Sequence, residues 1–308
     1  MTKSIQYVSM SDGQEIYTVI YKPEIAIKGH IHILHGMAEH IGRYEEFALF
    51  LNEHGYLVSG HDHRGHGHTG QKDNLFGFFA DDKGFERVTE DVREVLHAIR
   101  LNLDVHVPAP ILFGHSMGSF IGRRYIQKYG QSISKIVLSG TRGPLNPIDK
   151  AGKWVAKGFA KFKGKKTENQ LLNNLSFGKF NKAISNSETD FDWLSTDAEQ
   201  VRKYVEDPLC GFVASNQFFV DLLDGLNSIH NPKEIAKVPK ELPILLISGA
   251  MDPVGDMGQS LWPVAEQFKK QGVSDVTVVI LEGKRHEILN EQNHIGVYEK
   301  VLTWMEKK

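Results

Sequence analysis

A serine, an aspartate and a histidine, met in that chain order, can together make a nucleophile, and this chain offers a candidate for each. Gly114-His115-Ser116-Met117-Gly118 fits G-x-S-x-G and lies between a short apolar run, ILF at 111–113, and a segment of helical periodicity that begins at 119. At a sharp strand-to-helix turn a serine hydroxyl stands clear of the sheet, and flanking glycines let neighbouring backbone pass close by. Near neutral pH that hydroxyl is a poor nucleophile, so a base must take its proton and an acid must orient the base. Asp252 follows the apolar run PILLIS at 243–248, and His286 follows VTVVIL at 276–281. Each of the three candidates therefore stands just past its own strand. Asp224 and Asp256 are rival acids, Asp252 also reads as the cap of a helix near 258, and His294 falls where a helix should start.

Acyl transfer also requires donors aimed at a developing oxyanion, commonly two backbone N–H groups. Met117, next to the nucleophile, is expected to supply one, and the HGMAEH loop at 35–40, which places Gly36 and Met37 there, the other. Gly36 and His115 are further candidate contacts for the substrate.

These positions need a scaffold. Residues 3–9 and 14–21 read as two strands joined by an Asp12-Gly13 turn. The runs at 31–34, 111–113, 135–139, 243–248 and 276–281 are apolar without alternation, as in parallel strands buried on both faces. Phe85, Val88, Val92, Val95, Ile99 and Leu103 step by three or four and predict a helix over about 82–103; further helices are expected at 43–54, 116–129 and 293–306. Strand and helix alternation of this kind predicts an α/β class with a mostly parallel central sheet. Between 143 and 240 the rhythm lapses in a stretch rich in Lys, Asn and Ser, which reads as an inserted, mainly helical subdomain, so the expected core is 1–142 and 241–308.

Composition narrows the classes. The chain has 308 residues, 41% hydrophobic and 24% charged, with a net charge of -2. No global basic field exists to hold nucleic acid. A single cysteine, Cys210, precludes an intrachain disulfide and a thiolate zinc cluster. The N-terminal stretch lacks the apolar core of a signal peptide, and no run approaches the ~18 apolar residues of a membrane span, so a cytoplasmic protein is expected.

HGMAEHIGRYEEFA (35–48), GHDHRGHGHTG (60–70), FGHSMGS (113–119), SGAMDPVGD (248–256) and RHEILNE (285–291) together resemble the α/β-hydrolases of the monoacylglycerol lipase and lysophospholipase group, also called serine-aminopeptidase-like. The resemblance covers about 25–142 and 240–305. It implies an α/β-hydrolase fold, Ser116, Asp252 and His286 as the triad, Met37 and Met117 as oxyanion donors, and 143–240 as a cap shaping an acyl pocket. It implies no cofactor and no metal, and a lipid-like acyl ester as substrate. In the monoglyceride lipases of animals, residues matching Glu39 and Arg43 help hold the glycerol head, with a histidine three positions beyond the catalytic one. This chain has Leu289 there, and Thr69 where the family often has serine.

Two other features ask for an account. His61, His63, His66 and His68 fall within eight residues, a density that can bind metal, although Arg64 among them would repel a cation. From Asp149 to Gln170 there are seven lysines, of which Lys150, Lys153, Lys157 and Lys161 share a helical face opposite Val155, Phe159 and Phe162. Such a helix either covers the active site with its apolar side or rests transiently on an anionic membrane surface. An aminopeptidase or amidase would use the same triad and would draw on Glu188, Asp190, Asp192, Asp197 or Glu199 to hold an ammonium group. A receptor without catalysis is the remaining alternative.

Overall fold

Apolar runs with no polar alternation become the inner strands of one sheet. A computed structural model describes residues 2–103, 107–185 and 187–307, apart from the side chains of 148 and 150, so the expected placement of Lys150 lies outside the described residues. Its strands are β1 (Thr2–Ser9), β2 (Glu15–Lys22), β3 (Gly29–Leu34), β4 (Tyr56–His61), β5 (Ile111–His115), β6 (Lys135–Ser139), β7 (Ile244–Gly249) and β8 (Val276–Leu281). They lie in the order β1-β2-β4-β3-β5-β6-β7-β8. β1 pairs antiparallel with β2 and β2 antiparallel with β4, while every pairing from β4 through β8 is parallel. The sequence reading does not anticipate β4. Its second half, Ser59-Gly60-His61, looks like loop, yet all six residues are buried because β2 and β3 flank it.

The helices are α1 (Glu45–Glu53), α2 (Gly67–Asp73), α3 (Gly84–Leu101), α4 (Met117–Tyr129), α5 (Pro147–Lys163), α6 (Gln170–Phe177), α7 (Ala198–Glu206), α8 (Asn216–Ile229), α9 (Pro232–Ile235), α10 (Leu261–Lys270) and α11 (Ile295–Met305). Successive strand residues point to opposite faces, so the sheet feeds two cores. Leu34, Leu112, Ile136, Leu138 and Leu246 meet α3, α4, α8 and α10 on one face. Ile31, Ile33, Phe113, Val137 and Ile247 meet α1 and α11 on the other. The stepped residues of α3, among them Val88, Val92, Val95 and Ile99, are fully buried.

The stretch 143–240 holds α5 to α9 and is not a detached body. Phe218, Val220 and Leu226 of α8 join the same core as Phe85 of α3 and Phe120 of α4. α5 begins on a capping box of Asn146 and Asp149 with Pro147 at its first position. Its buried stripe is Ala156 and Ala160, while Val155 and Phe162 face solvent with Trp154. The apolar face expected from Val155, Phe159 and Phe162 is thus corrected: only Phe159 packs inward, partly buried against the core. Small alanines four apart let α5 lie close on its neighbour, which bulkier residues would prevent. No helix among the described residues is long and apolar enough to cross a membrane.

Candidate active site

Parallel strands deliver their C-terminal ends to a single edge, and the candidate residues follow those ends. Ser116 sits one residue past β5 and one before α4. Its backbone has φ 51° and ψ -118°, a region that costs a non-glycine residue on the order of 1–3 kcal/mol. The amide of Ser116 donates to Ser139 O at 2.8 Å, tying the turn to β6. Space explains the flanking glycines: a Cβ on Gly118 would lie 2.0 Å from Leu34 O, and one on Gly114 would lie 2.5 Å from Gly118 O. Strand β3 and helix α4 can meet at the elbow only if both positions lack a side chain.

Asp252 and His286 lie in the loops after β7 and β8, whose ends are clamped by Ala250 N–H donating to Leu281 O at 2.8 Å and Met251 N–H to Lys284 O at 2.9 Å. His286 Nδ1–H donates to Asp252 Oδ1 at 2.9 Å. Ser248 Oγ donates to Asp252 Oδ2 at 2.6 Å, and the Val254 amide donates to Oδ1 at 2.9 Å. Burial works to raise the Asp252 carboxyl, but the His286 charge and these hydrogen bonds overcome it and hold the group below its ordinary value. Burial likewise works to lower His286, and Asp252 outweighs it, leaving the imidazole raised above its ordinary value. The two shifts agree in favouring an imidazolium-carboxylate pair. Asp224 lies elsewhere, paired with Lys153. His294 bonds Glu46 at 2.7 Å. Among the described residues no hydrogen bond joins Ser116 Oγ to the His286 ring, and both residues border one cavity of about 840 Å³.

Gly36 is not a free donor, because its amide already donates to Glu39 Oε1 at 2.5 Å. The amides of Met37 and Met117 make no such bond among the described residues; Met117 is the first residue of α4 and has no intrahelical acceptor. Glu39 borders the same cavity, and it and Arg43 are engaged with each other and with neighbouring side chains. Arg43 makes a two-pronged bridge to Glu287, at 2.5 and 2.6 Å, and contacts Glu39 Oε2 at 2.7 Å, while Tyr44 donates to Glu39 Oε1 at 2.8 Å. Burial raises the Glu39 carboxyl against the opposing pull of Arg43, whereas at Glu287 the two-pronged guanidinium overcomes burial and brings the group down to about 2. Glu287 therefore carries the charge that answers Arg43. Sequence reasoning missed Glu287, though its place beside His286 was a signal; Ser248, at the end of β7, gave none. Leu289 is packed in the core, so no polar group reaches the site from there.

Within 143–240 the cavity is bordered by residues of 170–194, Tyr204 and 211–213, with Phe177, Phe191, Trp193, Leu194 and Phe212 as the apolar part of that wall. α5 contributes none of the bordering residues, which corrects the expectation that it covers the site. Of the acids considered for an ammonium, only Asp190 borders the cavity. Asp192 binds Thr189 and the Glu188 amide, Asp197 caps α7, and Glu199 pairs with Arg202.

Of the histidine tract, His61, His63 and His66 are buried and His68 is half-buried. His30 and His32 both bond Ser59 Oγ, at 2.7 and 2.8 Å; His32 Nε2 meets His61 Nδ1 at 3.0 Å, and His61 Nε2 meets His63 Nδ1 at 3.1 Å. His35 accepts from His63 N–H at 3.0 Å and donates to Gly36 O at 2.7 Å, so the stack ends at the 35–40 loop. Burial lowers His30 to about 4, His61 to about 3 and His66 to about 4, and drives His32, His35 and His63 well down. Arg64 is neutralised by Asp91 and Asp12. A separate trio of donors, His40, Asp207 and Cys210, lies within 4.8 Å. There His40 Nδ1 accepts from the Gly42 amide, so Nε2 carries the hydrogen that Asp207 accepts at 2.8 Å. That ring has no lone pair left for a cation.

Residues 25–293 match the model of the family described as serine aminopeptidase, S33. The monoglyceride lipase of Homo sapiens is 28% identical over 99% of this chain and 91% of its own length. A monoacylglycerol lipase of Mycolicibacterium smegmatis is 29% identical over 95% of this chain and 93% of its own. The crystal structure of a thermostable carboxyl esterase from Bacillus coagulans in complex with glycerol superposes with a TM-score of 0.91 at 26% identity, covering 99% of this chain and 98% of that one.

Proposed function

The chain belongs to the serine aminopeptidase, S33, family and is a carboxylic ester hydrolase of α/β-hydrolase fold, and on that premise we propose that it opens lipid-like acyl esters through Ser116, His286 and Asp252. His286 Nε2 takes the Ser116 proton as Oγ attacks the acyl carbonyl, and Asp252 keeps Nδ1 protonated and stabilises the imidazolium. The oxyanion lies against the Met37 and Met117 amides. His286 then hands its proton to the leaving alcohol, and a water activated by the same ring releases the acid and restores the serine. The observation that carries this reading is the Asp252–His286 bond at 2.9 Å, held on the far side by Ser248, at the sheet edge where Ser116 stands in a strained turn.

Monoacylglycerols or lysophospholipids are the substrates this reading favours, supported by the names of the relatives and by the apolar cap wall of the cavity. The segment 143–240 is read as the cap over the core. Transient contact with a membrane surface through α5 belongs to the same reading, supported by Trp154 at 74% and Phe162 at 81% exposure among lysines. The test is a pair of assays on intact protein and Ser116→Ala. Hydrolysis of monoacylglycerols and 4-nitrophenyl esters should fall at least ~10³-fold in the variant, along with labelling by a fluorophosphonate. Amino-acid amides turned over faster than esters would move the reading to an aminopeptidase.

A further inference from the structure

The His286 imidazole packs against two rings of different origin. One is His115, from the end of β5, with ring centroids 4.7 Å apart. The other is Trp193 of the insert, with centroids 5.2 Å apart and planes at 40°. Trp193 is only 7% exposed and joins Ile184, Leu194 and Tyr204 in a small apolar cluster of its own. Its amide donates to Asn181 Oδ1 at 3.1 Å, and its ring lies 5.1 Å from Phe180.

The backbone around this tryptophan is fastened to the histidine loop from both sides. Arg285 Nη1 donates to Asp192 O at 2.6 Å and to Ser195 O at 2.8 Å. The Glu287 amide donates to Leu194 O at 2.7 Å, Ser195 Oγ donates to Asn290 O at 2.7 Å, and the Thr196 amide donates to Glu291 Oε2 at 3.1 Å. Thus the two neighbours of His286 in sequence, Arg285 and Glu287, grip the turn that presents Trp193. The carboxylate of Asp252 fixes only one nitrogen of the imidazole; rotation and tilt about that bond are decided by what packs on the ring faces.

We propose that Trp193 is a positioning residue for the reaction: its indole, seated in the insert and stapled to the 285–291 loop, sets the tilt of the His286 ring, so that a shift of the 180–196 segment is felt by the base. This inference rests on His286 being the general base. A loosened ring loses aim at the serine hydroxyl, and a misplacement of about 1 Å in a reacting group costs roughly 100-fold. Around the ring stand Asp252, Glu287 and Glu39, with His115 and Arg43, and none of them is itself altered by a substitution at Trp193.

The experiment compares the wild type with Trp193→Phe, Trp193→Ala and Arg285→Met on 4-nitrophenyl acetate, whose two-carbon acyl group makes no use of a long acyl pocket. Trp193→Ala is expected to lower kcat by roughly 10- to 100-fold with KM within about threefold, and Trp193→Phe to restore most of the loss. Letting water onto the ring relieves the desolvation that opposes the imidazolium, so the acid limb of kcat/KM should move to higher pH in Trp193→Ala. In the wild type, tryptophan emission should be quenched as pH falls through that limb, and the quenching should vanish in Trp193→Phe. A folded Trp193→Ala with unchanged kcat and acid limb overturns the inference. Should that variant fail to fold, Arg285→Met decides the matter: a lower kcat is expected, and wild-type kcat and acid limb refute the coupling. If wild-type protein is not labelled at Ser116 by a fluorophosphonate, the triad itself falls, which is a distinct outcome.

Discussion

Acidification from pH 7.5 to 5.5 should remove most of the stability of this fold. Eight histidines are pushed down by desolvation: the six buried ones of the stack beneath the 35–40 loop, the buried His115 at about 3, and the half-buried His230 at about 3. In the unfolded chain each titrates near 6.5. The folded state therefore refuses protons that the unfolded state accepts, and the cost is absent above about pH 6.5 and accumulates below it. By linkage each such group costs about 1.4 kcal/mol between pH 7.5 and 5.5, so eight cost about 11 kcal/mol. Groups raised in the folded state act in the opposite sense: Glu39, Asp91 and His286, and with them Asp62 and Asp221. Burial raises Asp62 to about 6 and Asp221 to about 7, so the folded state binds their protons first and regains about 1 and 2 kcal/mol. Over these eight histidines, Asp62 and Asp221 the net loss is about 8 kcal/mol, comparable to the whole stability of a typical domain. Urea unfolding followed by circular dichroism at the two pH values measures it, and the slope of the unfolding free energy against pH near 5.5 should correspond to a net uptake of about five protons on unfolding. A change of less than about 2 kcal/mol would mean that the stack is hydrated or already protonated, and the reasoning fails.

Asp252→Asn keeps the shape of the site but leaves the imidazole in the wrong tautomer, so kcat should fall by roughly 10⁴-fold with the melting temperature little changed. The acid limb of kcat/KM should lie above 6.5, because Asp252 outweighs burial at His286; activity rises as pH climbs through it, and a limb below 6 would contradict the pairing. Ser116→Gly removes the strain of φ 51° and should raise stability by about 1 kcal/mol in denaturant titration while abolishing turnover. Arg43→Met strands the buried Glu39 and Glu287 and should cost about 3–5 kcal/mol at pH 7.5, with part of the loss recovered at lower pH as the acids take protons. Sedimentation with anionic vesicles should capture the wild type at low salt, and replacing Trp154 and Phe162 by Ser should release it without affecting 4-nitrophenyl acetate hydrolysis.

Local patterns determined a good deal. Periodicity located all but one strand and the helices that flank the sheet, since a strand buried on both faces has to be apolar throughout and a half-buried helix has to repeat its apolar side. The exception, β4, owes its burial to neighbours on either side. The positions of Ser116, Asp252 and His286 were legible because parallel strands deposit their following loops at one edge, whatever the insert does. What packs across long distances was not legible. Arg43 meets Glu287 and Trp193 meets His286 from segments far apart in the chain, and the bare lysine count of α5 does not reveal that Ala156 and Ala160, rather than Val155 and Phe162, form its buried side. Composition can tell which residues are able to bury themselves or carry charge; which partner each one finds depends on where the folded backbone brings distant segments together.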